Sequence, residues 1–418
     1  MKPASLARLQ KMIKRFATPP PSQLNRDGRR QRRRFALAFV LAVVVAFGLY
    51  SIEPGSSASN GAGGLVPSRL TAHSSATRHF EYVFDAAGIQ VYDIDHHNRY
   101  RGQIAFPGLP IRGLVADPAT ATLFVAYGGP GGSAGTGSML AYDLVSGRTI
   151  WRRDYSTGVD NIAITPNGRK IYMAVGENSG SSTWEIVDPA SGRVTGSIEA
   201  GSGPHETIIG SNGKYVYLGG VNTPYLEVAR TSTGRIVRRI GPLYEPGVRP
   251  FTINAAQTLA FTTSWNFLGF QVSSIKKGKV LYSVSPPGFG FDAAAFNDIP
   301  DHGISLSPDG RQLYLIDTPN GYVHVFDVSG LPRAAPRDIA DIKLAHPPAG
   351  GESWLQHSRD GRYVYVGLSG DVIDTASRRI VSYLAPLHNS TKFIEIDWRH
   401  GRPVDATSRY GVSYPQRR

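Results

Sequence analysis

A repeating pattern of strands and tight turns runs along the chain after residue 80 and limits the possible folds more than any other feature. Three segments share a strand, a polar turn and a second strand: residues 161–172 (NIAITPNGRKIY), 206–217 (ETIIGSNGKYVY) and 303–314 (GISLSPDGRQLY). The turn glycines Gly168 and Gly213 lie 45 residues apart, and Gly310 follows 97 residues later, which is two periods with insertions. A period in the forties with four strands per unit is typical of a β-propeller.

The turns recur often enough to count the units. Most turns between the first and second strand of a unit contain Gly, Asn or Asp, which tolerate positive φ. Six full units begin near residues 109, 159, 204, 248, 300 and 351. A seventh unit is split, because residues 79–106 supply three strands and residues 392–398 are left over near the C-terminus. Placing 392–398 as the innermost strand of the first unit closes the ring and removes both sheet edges. The sequence therefore predicts an all-β, seven-bladed β-propeller over residues 79–408.

The best-preserved repeats resemble the YVTN-repeat propellers and the lactonase-like seven-bladed group around them. The matching residues are 307–314 (SPDGRQLY) and 360–365 (DGRYVY), and the resemblance covers about residues 79–408. The name-giving tetrapeptide is not intact in this chain, and the lack of a Trp-Asp dipeptide disfavours a WD-repeat protein. The resemblance implies an extracytoplasmic propeller. It does not imply a reaction, because these motifs specify a fold.

The N-terminal region differs sharply from the repeats in charge. Residues 1–34 contain eleven Lys or Arg and one Asp, a net charge of +10, whereas the whole chain carries +13. The remaining residues therefore carry only 13 − 10 = +3, so nucleic-acid binding by the body of the protein is not expected. No charge interrupts residues 35–52, whose 18 residues are near the minimum for one membrane span.

These features predict a single-pass protein of the cell membrane. Arginines directly before residue 35 indicate a cytoplasmic N-terminus and an extracytoplasmic C-terminal domain. The predicted parts are a basic cytoplasmic tail (1–34), a transmembrane signal anchor (35–52), a flexible linker (53–78), the propeller (79–408) and a C-terminal tail (409–418). A cleaved signal peptide and a weakly matched twin-arginine signal are the alternatives. The absence of cysteine excludes disulfides, thiolate metal sites and Cys nucleophiles.

The innermost strands of a propeller line a central channel, and the loops that enter these strands form its upper mouth. Aligning the units places mostly ionisable residues there, although small or apolar residues would satisfy an all-β core. The candidate catalytic residues are His205, Glu206 and His302. The candidate ligand-binding residues are Arg112, Asp160, Asn161, Arg249, Asp301, Glu352 and His388.

Three interpretations of this ring stay open. The first is a hydrated channel whose charges satisfy one another. The second is a small-molecule site, for an anion or a sugar, with Arg112 and Arg249 as forked donors. The third is a catalytic or metal site with His205 and His302 as an acid/base pair or as ligands, and a nearby carboxylate as partner. A divalent metal fits the third interpretation, but no sequence spacing identifies one. Some propeller lyases and lactonases place His and Glu on successive inner strands, which residues 204–206 (PHE) resemble.

The sequence favours a ligand-binding or protein-binding module at the cell envelope, whose partners are the membrane and either an envelope protein or a small molecule. The alternative is a lactonase-like small-molecule hydrolase or lyase at the channel mouth, so enzymatic activity is left undecided. The chain contains no serine-nucleophile elbow, His-Glu-x-x-His motif or dinucleotide fingerprint. A long insertion at residues 286–298 carries three Phe, and it forms a lid over the mouth, a partner-binding patch or a loop packed locally against blades 5 and 6.

Overall fold

The computed structural model describes residues 67–245, 247–296 and 299–407. The predicted cytoplasmic tail, the predicted membrane anchor at 35–52, most of the predicted linker and the C-terminal tail lie outside the described residues. In the part of the chain that is described, no helix has the length and apolar character needed to cross a membrane.

Within these residues the strands form seven antiparallel sheets, each of which is one blade, and this confirms the predicted seven-bladed all-β fold. Blade 1 begins with β1 (Arg78–Asp85), β2 (Gly88–Asp93) and β3 (Arg99–Ile104). From its innermost to its outermost strand, blade 2 consists of β4 (Ile111–Asp117), β5 (Thr122–Tyr127), β6 (Gly137–Asp143) and β7 (Arg148–Tyr155). In the same order, blade 3 consists of β8 (Ile162–Ile164), β9 (Ile171–Ala174), β10 (Thr183–Val187) and β11 (Val194–Glu199). Blade 4 consists of β12 (Pro204–Ile209), β13 (Tyr215–Gly220), β14 (Leu226–Arg230) and β15 (Ile236–Ile240).

Blades 5, 6 and 7 follow the same order, and the first strand of blade 6 contacts the first strands of blades 5 and 7. Blade 5 consists of β16 (Phe251–Ile253), β17 (Leu259–Ser264), β18 (Phe267–Ser274) and β19 (Lys279–Val284). Blade 6 consists of β20 (Ile304–Leu306), β21 (Gln312–Asp317), β22 (Tyr322–Asp327) and β23 (Arg337–Lys343). Blade 7 consists of β24 (Leu355–His357), β25 (Tyr363–Val366), β26 (Asp371–Asp374) and β27 (Arg379–Tyr383).

The predicted turns form because their glycines adopt left-handed backbone geometry. Gly168, Gly310 and Gly361 have φ of 66°, 71° and 76°, a region that residues with a Cβ rarely enter. In the turn of blade 6, the Ser307 hydroxyl donates to an Asp309 carboxylate oxygen at 2.6 Å. The same oxygen accepts the backbone N–H of residue 311 at 3.0 Å. The Ser-x-Asp-Gly-Arg pattern therefore closes the turn through side chains as well as through glycine.

The ring closes as the sequence predicts, with one addition. Strand β28 (Phe393–Arg399) pairs with β1, which confirms residues 392–398 as the missing strand of blade 1. The chain then reverses into β29 (Arg402–Ala406), which pairs with the other edge of β28. Blade 1 therefore has five strands, and the fifth was not anticipated.

Short helices lie before the first strand and between later strands. They are α1 (Pro67–Thr71), a 3-10 turn (Ile94–His96), α2 (Gly129–Ala134) and α3 (Ala385–His388). Thr71 is fully buried, and its carbonyl accepts the N–H of Gly401 at 3.1 Å. The described end of the predicted linker is thus packed against blade 1, so the packed part of the chain begins before His79.

Blades bury their inner strands and expose their outer ones. Every residue of β5 is buried, whereas β7 is mostly exposed. Inner strands are enclosed between two neighbouring blades, which explains their continuous apolar and aromatic sequence. This arrangement leaves a polar channel mouth as the place where buried charged residues need an explanation.

Candidate functional site

The upper mouth brings together six of the sequence-predicted residues and one that was not predicted. The predicted six lie at the start of the innermost strands of blades 2 to 7 or in the loops that enter them, and the loop after β9 supplies the seventh. The cluster, called the mouth cluster below, consists of Arg112, Asp160, Glu177, His205, Arg249, His302 and Glu352.

Asp160 is the buried centre of one half of the mouth cluster. Arg112 binds it with two donors, Nε at 3.1 Å from Oδ1 and Nη2 at 2.8 Å from Oδ2. His205 Nδ1 lies 3.0 Å from the same Oδ2. Burial by itself would raise the pKa of Asp160, but the neighbouring His205 and Arg112 outweigh burial and hold that pKa well below its ordinary value. Asp160 is therefore ionised and fixes the orientation of the His205 ring.

Glu177 connects the two arginines and was missed as a site residue. Its Oε1 accepts from Arg112 Nη2 at 2.9 Å. Its Oε2 lies 2.6 Å from Arg249 Nη1, in a close ion pair rather than an aligned hydrogen bond, and 3.6 Å from His205 Nδ1. Burial would raise the pKa of Glu177, but His205 and Arg249 outweigh it and lower the pKa. The available signal was a carboxylate in the polar loop 177–182, which faces the same end of the channel.

The other half of the cluster is built around Arg249. Its guanidinium pairs with Glu352 as well as Glu177, and lies 5.8 Å from the centre of the Trp265 ring. Glu352 is the most solvent-accessible member, with 34% of its side chain exposed. Glu352 Oε2 lies 3.8 Å from His302 Nε2. Solvent therefore reaches the cluster from the Glu352 side.

His302 is fully buried and neutral. Burial lowers its pKa well below the ordinary value, and the charges of Arg249 and His205 add to this effect. Its Nδ1 lies 3.2 Å from the Ser353 carbonyl, so Nδ1 carries the proton and donates. The lone pair then belongs to Nε2.

The two histidine rings are neighbours. Their centroids are 6.1 Å apart and their planes are tilted by 58°. Each ring is anchored through Nδ1, and each Nε2 is buried with no hydrogen-bond partner among the described residues. A buried polar atom without a partner is costly, so native proteins keep one mainly where it has a role.

Charges in the mouth cluster nearly cancel. Two guanidiniums face the carboxylates of Asp160, Glu177 and Glu352, which leaves one negative charge when both histidines are neutral. His205 is thus held as a hydrogen-bond donor toward Asp160, and His302 as an acceptor.

A metal ion fits the cluster poorly. Asp160, Glu177 and His205 offer ligand atoms within 4.8 Å of one another, which is a spacing that suits a metal. Both carboxylates, however, are already engaged by arginines at 2.6 to 2.9 Å. A cation bound there would have to displace two guanidiniums.

Three sequence-predicted residues join blades instead of entering the cluster. Glu206 accepts the backbone N–H of Phe251 at 2.7 Å, which ties blade 4 to blade 5. Asp301 accepts the backbone N–H of Gly269 at 2.6 Å, and burial raises its pKa well above the ordinary value. Asn161 accepts the backbone N–H of residue 207 at 3.2 Å. Each buried side chain replaces a backbone partner between two sheets.

His388 also lies outside the mouth cluster. Its Nδ1 is 2.9 Å from the Ser369 carbonyl, and its ring centroid lies 6.1 Å from that of Tyr383 and 6.3 Å from that of His346. His388 belongs to a separate aromatic group beside blade 7.

The described part of the insertion, residues 286–296, contacts blade 6 through Phe289 and Gly290. Phe289 makes edge contacts with Tyr322 and His324, at centroid distances of 5.0 and 4.6 Å. Asn320 Nδ2 donates to the Gly290 carbonyl at 3.0 Å. Both contacts are to the outer part of the blade, which favours the local-packing interpretation over a lid.

Comparisons with known proteins add little to this geometry. No family model matches the chain, and no curated protein matches it, so the YVTN or lactonase-like assignment stays a prediction. Among solved structures, a hydrazine synthase of Kuenenia stuttgartiensis is similar, with a TM-score of 0.49 and 17% identity over 66% of this chain and 79% of that chain. A similarity at this level gives no information about activity. The described part of the chain is a seven-bladed β-propeller, an architecture that often serves as a binding module.

Proposed function

We propose that the protein is a binding module that takes a small, neutral, hydroxyl-bearing ligand at its upper channel mouth. The observation that carries this proposal is the pair of adjacent, anchored imidazoles of His205 and His302, each with an unpartnered buried Nε2. A sugar-like ligand offers hydroxyl groups that both donate and accept, so it complements both nitrogens.

The ion pairs support a neutral ligand rather than an anion. Both Arg112 and Arg249 are already neutralised by carboxylates, so an anion would have to displace Glu177 or Glu352. Pairing also holds these side chains in place, which lowers the entropic cost of binding. Because Glu352 is the most exposed member of the cluster, the ligand approaches from the Glu352 side.

The experiment compares two His→Leu variants of the full chain. His302→Leu removes the acceptor, whereas His346→Leu removes a half-exposed histidine outside the cluster. We expect at least one compound in a panel of neutral sugars and polyols to bind saturably, as measured by ligand-observed NMR. Loss of one hydrogen bond weakens binding about 3-fold to 10-fold in His302→Leu and leaves His346→Leu unchanged. Equal affinities in both folded variants, or no binder in the panel, would contradict the proposal.

A hydrolase or lyase is the second candidate, and the Asp160–His205 contact favours it. A carboxylate that orients a histidine through Nδ1 is the arrangement of a general acid or base. The test is turnover of lactones and related esters by the full chain, with a bell-shaped pH profile that is lost in His205→Gln. Binding without turnover leaves the module as the function.

We infer that residues 35–52 attach this module to the membrane, with the propeller outside the cytoplasm. The support is the uncharged run itself and the arginines before it. The full chain should stay in the membrane pellet after alkaline carbonate washing, and a chain lacking residues 1–52 should not. Release of both chains from the membrane would contradict the inference.

A further inference from the structure

The seam where blade 1 meets blade 7 holds a second buried polar group of residues, separate from the mouth cluster. Glu81 of β1 lies directly opposite Glu395 of β28, so both side chains project from the same face of blade 1. The next pair on that face is His79 opposite Asp397. Glu81, Glu395 and Asp397 are all buried. Three carboxyl groups therefore share one buried face.

This face packs against blade 7. The backbone N–H of Arg359, in blade 7, donates to Glu395 Oε2 at 2.7 Å. The Tyr365 hydroxyl, also in blade 7, donates to Asn98 Oδ1 in blade 1 at 2.5 Å. Gln356 is the register partner of Tyr365, so its side chain projects from the same face of blade 7 toward blade 1. Gln356 is fully buried, with an exposed fraction of 0%.

Unpartnered acceptor oxygens outnumber unpartnered donors in this seam. Four acceptors have no donor among the described residues, namely both carboxylate oxygens of Glu81, Oδ1 of Asp397 and Oε1 of Gln356. Two donors are similarly unpartnered, the side-chain amide nitrogens of Asn98 and Gln356. Most of these acceptors are carboxylate oxygens, so a positively charged group between the blades would stabilise them.

The basic side chains that face the seam pair with carboxylates other than Glu81 and Glu395. Arg359 Nε lies 3.0 Å from Asp397 Oδ2, and its Nη2 pairs with Asp405. His79 Nδ1 lies 2.7 Å from Asp95. In the described chain, no basic side chain forms an ion pair with Glu81 or Glu395. The protein itself thus leaves these two carboxyl groups without a counter-charge.

We propose that Glu81, Glu395 and Gln356 form a binding site for a hard, oxygen-ligated divalent cation of the calcium class, which fastens blade 7 to blade 1. Carboxylate and amide oxygens are the ligands that such ions prefer, and the seam offers neither thiolate nor a free imidazole. A bound cation removes the repulsion between directly opposed buried carboxylates. It also joins the two ends of the ring, since Glu81 lies near its start and Glu395 near its end.

A proton is the competitor for the same place. Burial raises the pKa of Glu81 and of Glu395 well above the ordinary value, and burial raises the pKa of Asp397 to about 6. Carboxyl groups in this setting hold protons unless a cation replaces them. The experiment must therefore separate cation binding from protonation.

The test measures calcium binding and thermal unfolding of the full chain, purified in mild detergent. We expect about one bound calcium per chain by equilibrium dialysis, and a Tm that rises by about 3 °C or more between EDTA and about 1 mM calcium. Glu81→Gln should abolish both effects. Glu227→Gln is the matched control, because Glu227 is a buried carboxylate of blade 4 that pairs with Arg239 far along the chain from the seam.

A second variant covers the case in which Glu81→Gln does not fold. Gln356→Leu keeps both carboxylates and should weaken calcium binding at least several-fold. A Tm that is independent of calcium and magnesium, with no calcium retained on dialysis, overturns the proposal. In that event the seam holds protons, and the Tm should instead fall as the pH rises, a fall that Glu81→Gln removes.

Discussion

Glu177 shows how much a single residue contributes to the mouth. It contacts both Arg112 and Arg249, and it lies close to His205. One carboxylate therefore connects blades 2, 3, 4 and 5. No other member of the mouth cluster contacts both arginines in the described structure.

Replacing Glu177 with Gln should destabilise the protein. The substitution keeps the size of the side chain but leaves two buried guanidiniums short of negative charge, a loss of about 3 kcal/mol by analogy with other broken buried pairs. The free energy of unfolding in urea measures it. Glu199→Gln, on an exposed outer strand, is the control and should change stability by less than about 0.5 kcal/mol. Equal effects of the two variants would show that the Glu177 ion pairs are not stabilising.

A buried histidine joins the second, third and fourth strands of blade 6. His324 of β22 places Nε2 at 3.1 Å from Asp317 of β21 and Nδ1 at 2.6 Å from Asp341 of β23. Burial would lower the pKa of His324, but the hydrogen bonds and charges of the two carboxylates outweigh burial and raise it. A protonated ring thus links three adjacent strands.

This link makes blade 6 sensitive to pH. Because the pKa of His324 is raised in the folded state, its contribution to stability is complete below the ordinary value near 6.5 and is lost as the pH rises through the raised value. The free energy of unfolding of wild type minus that of His324→Gln should therefore shrink between about pH 6 and pH 9. A difference that is constant or grows over this range would contradict the assignment.

Outer strands also carry charge where the propeller needs protection. Arg152 and Arg153 on β7, and Arg238 and Arg239 on β15, line edges that have no neighbouring strand. Charged side chains on an exposed edge oppose pairing with another chain. The arginines of these strands thus have a structural explanation at the sheet edges.

At the scale of the whole molecule, ring closure depends on β28, while β29 only extends it. β28 pairs with β1 over six residue pairs, from Arg78 opposite Trp398 to Val83 opposite Phe393. Its loss exposes the edge of β1 and the apolar seam against blade 7.

Two truncations test this closure. A chain ending at residue 400 keeps β28 and should still unfold cooperatively, with a modest drop in Tm. A chain ending at residue 391 removes β28 and should lose cooperative thermal unfolding or aggregate, because the ring is open. Calorimetry and size-exclusion chromatography distinguish the two. Similar behaviour of both chains would mean that closure does not rest on β28.

The repeat, its period and the split first unit were sufficient to predict the architecture. Each blade is a local unit whose turn residues, such as Gly168 and Gly310, carry the geometry with them. The C-terminal run at 392–398 was assigned to blade 1 because an unpaired strand at each end needs a partner. β29 was not predicted, since its short run continues the same segment after a tight reversal at residues 400–401.

Only part of the mouth cluster was predicted, because the residues that meet there come from blades that are far apart along the chain. Register within the repeat placed Asp160, His205 and His302 at one end of the channel. It did not separate these from Glu206 and Asp301, whose side chains bond to the backbone of a neighbouring blade. Adjacent positions in a strand project to opposite faces, and a one-residue difference decides whether a carboxylate enters the channel or the interface between blades.

The sequence by itself determined the repeat, the blade count, the way the ring closes and the ionisable character of the channel mouth, because these depend on local turn chemistry and on period. Only the tertiary structure decided which charges pair. Glu177 is 65 positions from Arg112 and 72 positions from Arg249. Contacts of this kind are fixed by the packing of complete blades, and no local pattern in the chain encodes them.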